Sequence, residues 1–78
     1  MAVQQGSYVY HRICGRLVEF NRVPMTGLYA VGVDGRLIGN YNTPEAAVSA
    51  ALEHVRVVAG LMSFPAVSGL LPAVRDLV

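Results

Sequence analysis

The sequence predicts an α+β fold in which an antiparallel sheet of three to four strands packs against one main helix (about 44–59), with a short helical C-terminal segment. Three observations carry this. Residues 8–20 are rich in aromatic and β-branched side chains, as strands are. Asp34-Gly35, a dipeptide suited to a two-residue type I′ turn, stands between two apolar runs. From Thr43 onward the pattern changes to a capped helix.

The 78 residues allow one domain, 1–78; they are 54% hydrophobic and 14% charged, too apolar for a disordered tail. A single cysteine, Cys14, excludes a disulfide scaffold and agrees with a reducing compartment. Six basic residues, all arginine, face five acidic ones, which disfavours a strongly electrostatic nucleic-acid binder. No charged, apolar leader precedes Ser7, so a cytoplasmic location is expected, the host cell's if the chain is phage-encoded. A core this small supplies about 3–5 kcal/mol net. The apolar surplus therefore predicts burial against another molecule, a host protein or a second copy in a homodimer.

Taken in order, strands are expected at about 8–14 and 16–20, with a bulge or bend at Gly15, followed by a loop over 21–27. The hairpin joins 28–33 to 36–41. A regular two-residue turn sets Val33 opposite Arg36, Val31 opposite Ile38 and Tyr29 opposite Asn40, all on one face. The other face carries Leu28, Ala30, Gly32, Leu37, Gly39 and Tyr41, flat enough at its centre to receive a helix.

Thr43 is a good N-cap, Pro44 suits the first helical position, Glu45 complements the positive helix end, and Gly60 is a C-cap. Glu45, Ser49, Glu53 and Arg56 form one narrow polar stripe, which leaves nearly twice the usual 100° arc to be buried. The alanine side is expected on the flat hairpin face. Leu52, Val55, Val58 and Leu61 then form a core or dimer face. Residues 57–74 carry no charge, and a membrane span over them is disfavoured by Gly60, Ser63, Pro65, Ser68, Gly69 and Pro72. Short helical pieces are expected within about 64–77. No internal repeat is expected.

The stretch Ile38-Gly39-Asn40-Tyr41-Asn42-Thr43-Pro44-Glu45-Ala46-Ala47, within residues 37–51, resembles the sheet end and helix start of AP2-type and integrase amino-terminal DNA-binding domains. The resemblance implies a sheet-plus-helix fold whose sheet meets DNA. That family reads bases with arginines and tryptophans. This chain has no tryptophan and only Arg36 on the corresponding hairpin face, so no DNA-contacting residue carries over. In size, arginine-only composition and lack of catalytic groups the chain is also similar to small phage inhibitor proteins, anti-CRISPR proteins among them.

No catalytic constellation is expected. His11 and Cys14, three apart on an extended strand, point to opposite faces, and with His54 they are too few for a zinc site. Glu19, Asp34, Glu45, Glu53 and Asp76 form no acid/base pair, and no phosphate-binding glycine loop precedes a helix. No cofactor or metal is implied. What remains is surface. Tyr8, Tyr10 and Arg12 share one strand face, and Tyr29, Val31, Arg36, Ile38 and Asn40 share another, the aromatic and arginine mixture that protein interfaces favour. The sequence therefore points to a non-enzymatic protein-binding module that inhibits a host assembly by occupying one of its surfaces. The alternative is an AP2-like DNA-binding domain in which Arg12, Arg16, Arg22 and Arg36 meet phosphate.

Overall fold

The computed structural model describes residues 7–78. Four strands, β1 (Tyr8–Ile13), β2 (Arg16–Arg22), β3 (Tyr29–Val33) and β4 (Arg36–Tyr41), form an antiparallel meander in sequence order. Helix α1 (Pro44–Ala59) lies on one face, and the short α2 (Leu70–Arg75) closes the same side.

The hairpins β1–β2 and β3–β4 each turn on two residues with left-handed backbone. Asp34 and Gly35 have φ 54° and 82°, the expected type I′ geometry. Cys14 and Gly15 have φ 52° and 79°. The bend or bulge expected at Gly15 is therefore a second tight turn, and Ile13 pairs directly with Arg16. The two turns sit in related hexapeptides, Ile13-Cys14-Gly15-Arg16-Leu17-Val18 and Val33-Asp34-Gly35-Arg36-Leu37-Ile38. Contrary to expectation, then, the sheet does hold a short repeat. Each copy places an arginine directly after its turn and a leucine after that.

The register of the second hairpin departs from the regular one. Val33 does face Arg36, but Gly32 pairs with Leu37 and Val31 with Gly39, leaving Ile38 as the extra residue of a β-bulge. Tyr29 therefore faces Tyr41, and Ala30 faces Asn40. Beyond the bulge the alternation of β4 reverses. Tyr41 comes to the same side as Val31 and folds back across Gly39, where a side-chain carbon would lie 2.5 Å from its hydroxyl.

This reversal accompanies a second correction. The helix covers not the flat face of Ala30 and Gly32 but the face of Tyr29, Val31 and Val33, which are 6%, 0% and 5% exposed. The strand register brings Val18, Phe20 and Ile13 onto that same face, where all three are buried. Branched and aromatic side chains remove far more apolar area from water than alanine and glycine can, at roughly 25 cal/mol per Å². The larger side chains decide which face is covered.

On the helix, Ala47, Ala51 and Val55 recur every four residues and are fully buried, with Val48 and Leu52 packed beside them. Small residues along this seam let the helix backbone approach the sheet. The buried arc is narrower than the apolar sequence suggests, since Val57 and Val58 lie at the surface. The Thr43 hydroxyl accepts from the Ala46 amide at 3.1 Å, and Gly60, at φ 70°, ends the helix with its amide directed back to the last turn. Residues 61–69 have no regular secondary structure, so the C-terminal helical pieces reduce to α2. Leu70, Val74 and Leu77 complete the core. The Ser7 hydroxyl both donates to the Val78 carbonyl at 3.1 Å and accepts from the Val78 amide at 3.2 Å. No helix among the described residues is long and apolar enough to cross a membrane.

Candidate functional site

With one sheet face under the helix, the other is left open by the described residues. Strand alternation assigns to it Tyr8, Tyr10 and Arg12 from β1, Leu17, Glu19 and Asn21 from β2, Ala30 and Gly32 from β3, and Leu37 and Asn40 from β4. The register arranges them in rows. Tyr8 neighbours Asn21, then Ala30, then Asn40; Tyr10 neighbours Glu19, then Gly32, then Leu37. Tyr8 and Tyr10 stack with ring centroids 6.3 Å apart and planes 10° from parallel. Tyr10 and Leu37 are 55% and 62% exposed, unusual values for apolar side chains on a sheet.

Between the tyrosines and Leu37 the surface sinks. Ala30 and Gly32 floor a depression of about 210 Å³ bordered by Glu19, Asn21, Gly35, Arg36 and Leu37. The side-chain oxygen of Asn21 is buried there and accepts no hydrogen bond among the described residues. A buried acceptor left unpaired costs about 1–3 kcal/mol.

Of the residues expected to bind a partner, Tyr8, Tyr10, Arg12 and Asn40 lie together on this open face. Tyr29 and Val31 do not; they are core, for the packing reason given above. Ile38 is the bulge residue, half-buried against the core, and Arg36 stands exposed at the sheet's end. Of the expected core or dimer face, Val55 is buried and Leu52 packs against the core, whereas Leu61 is half-buried and Val58 is exposed. Leu17, Leu37 and Asn21 were missed by sequence reasoning. The Gly-Arg-Leu repeat was the available signal, since it delivers both leucines to one face.

The arginines are largely committed. Arg16 pairs with Asp34 at 3.0 Å, Arg56 with Glu53 at 2.8 Å and Arg75 with Glu45 at 2.7 Å. Arg22 lies over the Tyr29 ring at 4.7 Å and donates to its hydroxyl at 2.8 Å. Hydrogen bonds from Arg16 and from the Leu17 amide hold the Asp34 carboxyl below its ordinary pKa; those from Arg75 and Arg56 do the same for Glu45 and Glu53. Glu53 in turn raises Arg56.

His11 alternates with Tyr10 and Arg12 and is half-buried on the helix side, whereas Cys14 is exposed in its turn. Among the described residues no group of three or more His, Cys, Asp or Glu side chains is placed to hold a metal ion.

No protein-family model, curated protein or solved structure matches the chain.

Proposed function

We propose that this chain is a non-enzymatic protein-binding module that acts by occupancy. Its open sheet face docks on a larger host protein assembly and blocks a functional surface there, in the manner of the small phage inhibitors it is similar to. The observation that carries this reading is the open face itself. Stacked Tyr8 and Tyr10, with Leu17 and Leu37, share this face with a depression floored by Ala30 and Gly32 and bordered by Leu37 and Arg36. Interfaces concentrate their energy in such aromatic and arginine anchors around a dehydrated centre. The complementary partner surface is a convex apolar knob that fills the depression.

The DNA-binding alternative draws less support. Of the four arginines expected to meet DNA phosphate, Arg16 and Arg22 lie on the helix side of the sheet and Arg36 stands beside its turn, so they form no cluster on the open face. Arg12 is the one arginine assigned to the open face, where Glu19 lies nearby as an opposing charge.

The test uses Tyr10→Glu and Leu37→Glu, with Val57→Glu on the helix surface as the control. Partner capture from host lysate should be lost by the two sheet variants, at a cost of at least about 2 kcal/mol each, and kept by the control. All three should remain folded in thermal unfolding. Small losses are expected where the new carboxylate meets Glu19 across the strand pair in Tyr10→Glu and Glu53 one turn away in Val57→Glu. Open-face variants that fold and still capture the same partner refute the assignment. A mobility shift with DNA at low salt that fades steeply as salt rises would favour the alternative.

A further inference from the structure

At the turn end of the sheet, on the helix side, a second recess of about 260 Å³ is lined by Arg16, Val33, Asp34, Arg36, His54 and Val58. We propose that it is an oxyanion site that receives a phosphate group. The repeat builds it: the arginine following each type I′ turn, Arg16 and Arg36, reaches the same hollow from strands flanking β3, while α1 contributes His54. Two guanidinium groups face one carboxylate there, so the recess carries net positive charge.

The donors are available. Arg16 uses one guanidinium nitrogen on Asp34 at 3.0 Å, which leaves most of its five N–H donors unspent. Asp34, itself part of the lining, is held by that bond and by the Leu17 amide at 3.1 Å. Arg36 forms no ion pair among the described residues, in contrast to Arg56 and Arg75. The planar fork of arginine matches phosphate oxygens in a bidentate manner that lysine cannot reproduce. His54 supplies an N–H donor even as the neutral imidazole. Val33, buried, and Val58, at the surface, complete the lining. A volume several times the ~30 Å³ share of one water leaves room for the group that bears the phosphate. This site shares Arg36 with the border of the open-face depression, but the open-face reading does not depend on it.

The experiment is a titration of the isotope-labelled full chain with inorganic phosphate, followed by nuclear magnetic resonance at constant ionic strength with chloride as the matched salt. Saturable shifts confined to the Arg16 and Arg36 side chains and to His54 are expected. Arg36→Gln, which breaks no ion pair, should weaken binding by about tenfold or more. Arg75→Gln, at the far ion pair, should leave it unchanged, with both variants folded by circular dichroism. Separate arms with a nucleoside monophosphate and with O-phosphoserine distinguish a free nucleotide from a phosphorylated side chain as the source; preference for either supports the site. Shifts that fail to saturate, or a folded Arg36→Gln that binds as well as the parent, overturn the proposal.

Discussion

Asp34 serves three purposes with one side chain. It occupies a left-handed turn position that aspartate tolerates better than most residues, accepts from the Leu17 amide across the strand pair, and binds Arg16. These bonds favour its ionised form, so its carboxyl pKa lies below the ordinary 3.8. The sign of the pH dependence follows. A carboxyl whose pKa is lower in the folded than in the unfolded chain stabilises the fold above its unfolded value, and loses that contribution as pH falls through the folded value. Glu45 and Glu53 behave alike from an ordinary value of 4.5. Denaturation from neutral to strongly acid buffer should therefore show stability falling only below about pH 4.5. Asp34→Asn keeps the turn conformation and an acceptor for Leu17 but cannot titrate. It should lose less stability on acidification than the parent, and an identical acid profile would contradict the role given to Asp34.

The hairpins β1–β2 and β3–β4 show at the scale of elements what a sequence does and does not disclose. Helix α1 was legible to the residue, from Pro44 to Ala59, because capping chemistry marks both of its ends. The Asp34-Gly35 turn was legible for the same reason. The Cys14-Gly15 turn was not, since cysteine carries no preference for left-handed backbone and the pair reads as an interrupted strand. Nor does any residue announce the bulge at Ile38, because its cause lies in fitting Tyr41 and Gly39 opposite Tyr29 and Val31. The bulge sets Gly39 and Tyr41 on the side of Val31 and Asn40 on the other, whereas Tyr29 and Val31 were misplaced because the helix covers their face. The cysteine turn invites a stabilising change. Cys14→Asn creates the Asn-Gly pair that type I′ turns favour, worth a few tenths to about 1 kcal/mol. For a domain of this size the melting temperature should rise by about 2–6 °C in calorimetry. No rise would mean that Cys14 already sits without strain.

For the molecule as a whole, the apolar surplus divides into three parts: the core around Phe20, Val31 and Val55, the open face with Tyr10 and Leu37, and the surface around the end of α1, where Val57, Met62 and Phe64 are exposed. The sequence disclosed the surplus but not its division, which depends on the strand register and on the face the helix chooses. Nearly every pairing is between neighbours in the chain: each strand with the next, and α1 with the hairpin it follows. The exception is the clasp between Ser7 and Val78, which joins residues 71 apart, together with the packing of α2 near β1. This contrast has a kinetic meaning. Local pairings form early because they close short loops, whereas a contact spanning the chain forms after most of the entropy has been lost. Val74→Ala, at a fully buried position in α2, should leave the refolding rate within about twofold while accelerating unfolding by most of its destabilisation. Stopped-flow refolding slowed in proportion to that destabilisation would place α2 in the nucleus instead. On this account the C-terminal segment works as a latch: it sets how long the folded state persists and has little influence on how quickly it is reached.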